Sequence, residues 1–204
     1  MFLSFEGTEG AGKTTQMRIL IERLRGLGHI VAENQEPGGT RIGSQIRSLL
    51  LDPEHQEMSA MTELLLLFAS RAQAAAEIIA PALERGEIVV SDRFTDSSLA
   101  YQGEARALGF DTVLAVHGLA LGALIPDLTL CITLDVATGL ERAYQRSLSS
   151  DRLDRQSLAF HQSVDRGYRK IAEWEPGRFR LIDGSGSPDV VAARVWSQVA
   201  PLLK

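Results

Sequence analysis

Gly7-Thr8-Glu9-Gly10-Ala11-Gly12-Lys13-Thr14 is the stretch on which the reading of this chain turns. Its pattern is a glycine, four free positions, Gly-Lys, and then Ser or Thr. It follows the short apolar run Phe2 to Glu6 and opens a segment in which Met17, Leu20, Ile21, Leu24 and Leu27 recur at helical spacing. The first flank reads as a buried strand, the second as an amphipathic helix stopped by Gly26 and Gly28. A strand–loop–helix of this composition suits one kind of ligand. Glycines let the backbone curl until several N–H groups face a single anion, and the helix N-terminus adds its partial positive charge. Lys13 can reach terminal phosphates, and the Thr14 hydroxyl is placed to hold a divalent cation.

Outward from the loop, apolar runs alternate with helical patterns. A second strand is expected at about His29 to Asn34, running into the turn-rich Glu36-Pro37-Gly38-Gly39-Thr40. Ile42 to Leu51 reads as a short helix, and about Met58 to Leu83 as a long one, rich in Leu and Ala on more than one face and so largely buried. Ile88 to Val90, Leu128 to Leu134 and Phe179 to Ile182 supply three more strands, and a last helix carries Val190, Val191, Val195, Trp196 and Val199. Strands separated by helices imply a parallel sheet covered on both faces, with ligands beyond the carboxyl ends of the strands.

The chain has 204 residues, 45 % hydrophobic and 23 % charged, enough for one domain with a real core. A net charge of −5 and 6 % aromatics, not interleaved with a basic patch, argue against a nucleic-acid polymer as partner. The single cysteine, Cys131, lies in an apolar run and reads as a small buried hydrophobe in a reducing compartment. No basic stretch precedes an apolar one at the N-terminus, and apolar runs such as Leu64 to Ala69 are short. No membrane partner and a cytoplasmic location are therefore expected. The four histidines are scattered without ligand spacing.

The third strand ends in Asp92-Arg93, followed by Phe94-Thr95-Asp96-Ser97-Ser98-Leu99-Ala100-Tyr101-Gln102-Gly103, dense in hydrogen-bonding side chains. Asp92 can orient a hydrated cation and Arg93 can clamp a second phosphate. With Glu6 to Thr15, Glu36 to Thr40, Asp92 to Gly103 and Pro126-Asp127-Leu128-Thr129-Leu130 taken in order, the chain resembles the thymidylate kinase family over nearly its whole length. The resemblance implies a single α/β domain over residues 1–204. Its expected fold is the three-layer one of the P-loop NTP hydrolases: a five-stranded parallel sheet flanked by helices, with a short lid at about residues 142–155. It also implies ATP as phosphoryl donor with Mg²⁺, thymidine monophosphate as acceptor, a place in dTTP biosynthesis, and a homodimer formed by helix packing.

The resemblance further assigns roles. Gly7, Thr8, Glu9, Gly10, Ala11, Gly12, Lys13, Thr14 and Thr15 would bind ATP, with Arg142 against adenine near the loop Asp183 to Ser187. Thr14 and Asp92 would hold or orient the metal. Phe68 would stack on thymine and Arg71, on the same helix face, would meet a base carbonyl or the monophosphate. A buried helix rarely carries an Arg without an anion or acceptor. Ser98 and Gln102 would bond the thymine edge, Tyr101 would pack under the deoxyribose, Arg93 would contact the monophosphate, and Glu36 would lie near the acceptor phosphate. Glu9 in the loop, with Arg142, Arg146 and Arg152 further on, resembles the bacterial type, in which a lid arginine supplies the catalytic charge. Arg146 and Arg152 are the first candidates, and Glu141 to Arg152 reads as a mobile loop between helices.

Two departures stand out. Gln35 stands where the family commonly has an arginine before Glu-Pro-Gly-Gly-Thr, so that one phosphate-side cation is either missing or replaced by Arg41 or Arg47, and the glycine that commonly follows the lid arginine is absent. A nucleoside kinase would lack a full clamp for an acceptor phosphate, which Arg71, Arg93 and the Glu36 loop would form. A GTP-operated switch is expected to carry Asn-Lys-x-Asp, a tetrapeptide absent from the sequence. A nucleotide-binding module without turnover would have no use for the lid arginines.

Overall fold

A computed structural model describes residues 1–146, 151–153 and 155–203, except the side chain of Arg146. Among these residues five strands form one parallel sheet in the order β2-β3-β1-β4-β5: β1 Phe2–Glu6, β2 Val31–Gln35, β3 Ile88–Asp92, β4 Leu128–Thr133 and β5 Phe179–Asp183. Every residue of central β1 is buried. The strand pleat sends neighbouring residues to opposite faces. Leu3, Phe5, Val90, Leu130 and Ile132 therefore enter one apolar cluster, with α1 (Lys13–Gly26) and α9 (Pro188–Val199). Cys131 faces the other side, where Leu64, Phe68, Val113, Val164, Tyr168 and Ile171 pack. That layer is built from α3 (Ala60–Ala74), α6 (Phe110–Leu121) and α8 (Leu158–Trp174). Phe2 and Val89 join Ile79, Ala82 and Phe94 in a third cluster.

Capping explains several boundaries. Thr40 accepts from Gly43 N at 2.9 Å and starts α2 (Arg41–Leu51). Ser59, not Met58, caps α3, which continues through a π-helical turn (Ala75–Ile79) into α4 (Ala80–Glu84). This 25-residue run is long and apolar enough by composition to cross a membrane, with an 18-residue window of mean hydropathy 1.3, which the short runs in the sequence did not suggest. Its buried positions, however, include Glu63, Ser70 and Arg71, all bonded inside the protein, and it packs as a core helix.

The segment read as a loop from Glu141 is helical in its first half. Asp135 Oδ1 accepts from Thr138 N at 2.9 Å, capping the start of α7 (Val136–Arg146). Ser157 caps α8 in the same way. Neither α6 nor α8 was placed by the apolar pattern alone. After β3, α5 (Thr95–Ser98) runs into a second π-helical turn, Leu99–Ala105. Arg146 heads the remaining lid positions, and its side chain lies outside the described residues, as do residues 147–150 and 154.

Helix α7 rests directly on the glycine-rich loop. A Cβ on Gly139 would stand 2.4 Å from Glu9 O, and one on Gly10 would stand 1.9 Å from Gly139 O. Backbone meets backbone with no side chain between, so Gly139→Ala must push the helix off the loop. Overpacking of this kind costs about 1–3 kcal/mol. The variant should therefore melt several degrees below wild type in a circular-dichroism scan. An unchanged melting temperature would mean that the contact yields freely.

Candidate active site

The loop Gly7 to Gly12 joins the end of β1 to α1, where the strand order reverses to either side of the central strand. Gly7, Gly10 and Gly12 have φ of 133, 67 and 98°, conformations closed to most side chains. Lys13 bends back and donates to Gly7 O at 3.0 Å and Thr8 O at 2.8 Å, tying the loop shut. Burial and Arg93 lower its pKa, while Glu9, Asp92 and Glu6 pull it up again. Whereas α2, α3, α8 and α9 start on a Ser or Thr cap, α1 has no side-chain cap and no acidic residue in its first turn. Its leading N–H groups are left for an anion.

Two clefts meet here. The first, about 550 Å³ and mostly polar, is lined by Gly10, Gly12, Lys13, Thr14, Gln35 and Asp92. The second, about 640 Å³, is lined by Pro37, Leu51, Leu67, Arg71, Ser97, Ser98, Tyr101, Gln102, Asp151 and Leu153. Glu9, Glu36, Arg47 and Arg93 line both and form the wall between them. Of the two arginines that could replace the cation missing at Gln35, Arg47 is the one that reaches the clefts, and it donates to Pro37 O at 2.8 Å.

Arg93 is the most constrained residue of the wall. Its φ is 72°, left-handed and unfavourable for a bulky residue. Its Nη2 donates to Glu9 Oε1 at 2.7 Å and Tyr101 OH at 3.2 Å, and its Nη1 to Ser97 Oγ at 3.0 Å and Tyr168 OH at 3.2 Å. Tyr101 OH donates to the same Glu9 oxygen at 2.8 Å. Burial raises the pKa of Glu9, but Arg93, Lys13 and Tyr101 outweigh it and hold the carboxyl at about 2. Behind the wall, Glu6 accepts from Phe94 N at 2.8 Å, Ser97 Oγ at 2.5 Å and Tyr168 OH at 2.9 Å. Burial and the neighbouring Asp96 carry Glu6 to about 7, against the lowering effects of Arg93, Ser97 and the Phe94 amide.

In the second cleft Arg71 is 1 % exposed and donates from Nε to Glu36 Oε2 at 2.5 Å, from Nη1 to Ser98 Oγ at 3.1 Å and from Nη2 to Phe94 O at 3.1 Å. Burial raises the pKa of Glu36, with Arg71 and Asn34 opposing.

Of the residues singled out from the sequence, Lys13, Thr14, Asp92, Glu9, Glu36, Arg93, Arg71, Ser98, Tyr101 and Gln102 line one or both clefts. Phe68 does not. It is 2 % exposed, edge-on to His117 in the core, and the apolar wall of the cleft is Leu67, one residue earlier. The helix phase turns the larger ring inward, so the Phe68 ring expected to stack on a base is not presented to the cleft, and Leu67 is the neighbour that lines it. Arg152 is also not presented to the loop: it is 3 % exposed and donates to Glu63 Oε2 at 2.5 Å and Leu50 O at 2.8 Å. Arg142 is exposed on α7, and Thr15 is exposed on α1. Leu67 and Glu63 had no distinguishing mark in the sequence, since one is a leucine among leucines and the other a carboxylate on an amphipathic helix.

Among the described residues no group of three or more His, Cys, Asp or Glu could enclose a metal ion. Thr14 and Asp92, both lining the loop cleft, offer hard oxygen donors of the kind a largely hydrated Mg²⁺ takes alongside phosphate oxygens.

A five-stranded parallel sheet with a lysine-closed glycine loop at its central strand, facing a second cleft across a shared arginine wall, defines a P-loop nucleotide-binding protein with room for two substrates. The family model described as thymidylate kinase matches residues 5–195. The chain is similar to the thymidylate kinase of Lactobacillus delbrueckii subsp. bulgaricus, at 49 % identity over 95 % of this chain and 93 % of that one. It is also similar to that of Bacillus licheniformis, at 44 % over 100 % and 97 %. Among solved structures it matches the thymidylate kinase of Ehrlichia chaffeensis, with TM-score 0.80 and 29 % identity over 98 % of both chains. The chain belongs to the thymidylate kinase family.

Glu6 provides a pH test of the wall. A carboxyl raised to about 7 stabilises the fold most below its unfolded value and loses that contribution as pH rises through about 7. Relative to Glu6→Gln, wild type should lose up to about 3 kcal/mol of unfolding free energy in urea between about pH 5 and pH 8. A difference that stays flat over this window would assign the titration to another group.

Proposed function

We propose that the chain transfers the terminal phosphoryl group of ATP to thymidine monophosphate, giving ADP and thymidine diphosphate. The observation that carries this is the shared wall: one anion cradle and one mixed polar–apolar cleft, with Arg93 lining both. Phosphoryl transfer needs in-line positioning and cations around the moving group more than covalent help. ATP phosphates suit the loop amides, Lys13 and the α1 N-terminus. The acceptor phosphate suits Arg93, with Glu36 and Arg47 at the same wall. Base and sugar suit the second cleft, with Arg71, Ser98 and Gln102 as polar partners, Leu67 as an apolar lining and Tyr101 beside Arg93. When the phosphate displaces the Glu9 contact, the guanidinium exchanges one anion for another at little electrostatic cost.

Magnesium belongs to this reading, with Thr14 and Asp92 as its protein partners; bound there, it would neutralise charge on the donor phosphates. The arginines of the lid, residues 142–155 in this single-domain reading, complete it. In this reading Arg146, whose side chain lies outside the described residues, would serve the phosphates and Arg142 would lie against adenine, while Arg152 would reach a phosphate only by leaving Glu63. The same reading includes a cytoplasmic location, consistent with the one free, buried Cys131. It also includes a homodimer, for which exposed Leu49, Leu65 and Leu119 on α2, α3 and α6 offer apolar surface.

A coupled ADP-release assay with ATP, Mg²⁺ and a panel of nucleosides and their monophosphates tests the acceptor. Thymidylate should be strongly preferred; turnover of a nucleoside but not its monophosphate would discard the assignment. Lys13→Ala should lower kcat by about 10²- to 10⁴-fold while the chain still unfolds cooperatively. Near-wild-type turnover would remove Lys13 from the mechanism.

A further inference from the structure

Glu63 on α3 holds together a buried cluster that the transfer chemistry does not use. It is 1 % exposed. Its carboxylate accepts from Gln102 Nε2 at 2.8 Å, from Arg106 Nε and Nη2 at 3.3 and 3.2 Å, and from Arg152 Nη2 at 2.5 Å. Burial raises its pKa, but Gln102, Arg106 and Arg152 outweigh that and hold it below the ordinary carboxylate value. Glu63 is therefore an anion that can only accept hydrogen bonds.

That fixes which way the Gln102 amide faces. The two ends of a side-chain amide are nearly equal in shape, and hydrogen-bond partners decide between them. Against an acceptor-only carboxylate the nitrogen must turn to Glu63, and the oxygen turns away from it. Gln102 lines the acceptor cleft and is 1 % exposed, yet its Oε1 is buried with no hydrogen-bond partner among the described residues. A buried amide oxygen is costly to leave unmatched, and on a side chain that lines the cleft a bound base is the group able to bring it a donor.

We propose that Glu63 is a positioning residue for base selection: by holding Gln102 with its amide oxygen available to the cleft, it makes the site select a base whose edge presents an N–H donor. This rests on the thymidylate reading above. Thymine and uracil carry a hydrogen on N3. Cytosine presents a lone pair there and would face the Gln102 oxygen acceptor to acceptor. The same carboxylate seats the rim of the cleft. Arg152, bonded to it, also donates from its backbone N to Leu51 O at 3.1 Å, which places Asp151 and Leu153 along the opening.

The test is kcat/KM for thymidylate and for deoxycytidylate at saturating ATP, in wild type, Glu63→Gln, Glu63→Asp, Gln102→Leu and the double variant Glu63→Gln/Gln102→Leu. A glutamine at 63 can donate as well as accept and no longer fixes the Gln102 amide. Glu63→Gln should lower the thymidylate-to-deoxycytidylate ratio by about tenfold or more, with KM for ATP within about twofold of wild type. Gln102→Leu should lower the ratio similarly, and adding Glu63→Gln to it should change the ratio by less than about twofold. Glu63→Asp keeps a charge for Arg106 and Arg152 but withdraws it from Gln102. It should shift the ratio in the same direction, and it carries the test if Glu63→Gln does not melt cooperatively. Parallel losses on both substrates that leave the ratio as in wild type would overturn the inference and make Glu63 a purely structural anchor. A wild-type enzyme without a preference for thymidylate would instead overturn the reading of the cleft, and the inference with it.

Discussion

The guanidinium of Arg93 is the constraint on which the rest of the site depends. It hangs from a backbone in the left-handed region and is held there from both sides. In front, Glu9 of the glycine loop accepts from it; behind, the Ser97 and Tyr168 hydroxyls accept from it and donate in turn to Glu6. Glu6 ends β1, Glu9 belongs to the loop, Ser97 and Tyr101 follow β3, and Tyr168 comes from α8. One cation therefore ties together three parts of the chain that are remote in sequence: residues 6–9, residues 93–101 and Tyr168. A strained backbone of this kind persists only where the surroundings over-determine it, and such positions concentrate at functional sites.

The clefts are built from buried ion pairs rather than exposed ones. Glu36 with Arg71 and Glu63 with Arg152 are each no more than 3 % exposed at their side chains. Such pairs add little net stability, because desolvation offsets most of the attraction, but removing one partner leaves a buried charge and costs about 3–5 kcal/mol. Their effect is to hold geometry. Arg71, bonded to Glu36, Ser98 and a main-chain oxygen at once, presents a fixed edge to the second cleft. The same economy governs the loop, where glycines at 7, 10 and 139 let backbone approach backbone closely enough to leave no room for a methyl group.

The glycine loop and the sheet were legible because they are local: glycine spacing, strand apolarity and helix periodicity all lie within a few residues of one another. What escaped was tertiary. Leu67 and Phe68 stand four and three residues before Arg71, and both spacings put a residue on the arginine's side of a helix. Only the packing of Phe68 against His117 decides that Leu67 faces the cleft. Arg152 looked like a free lid cation because its partner, Glu63, lies 89 residues away. The start of α7 was visible in principle, since Asp135 three residues before Thr138 is a capping signal, but the charge and serine content that follows suggested a loop.

Two clefts that meet at Arg93 imply two substrates held at once. Calorimetric titration with a dinucleotide in which adenosine and thymidine are joined through five phosphates, long enough to bridge donor and acceptor, measures this directly. One molecule should bind per chain, displacing both ATP and thymidylate in competition, with affinity well above either alone. Displacement of ATP only, with thymidylate still able to bind, would contradict a shared wall and place the acceptor elsewhere.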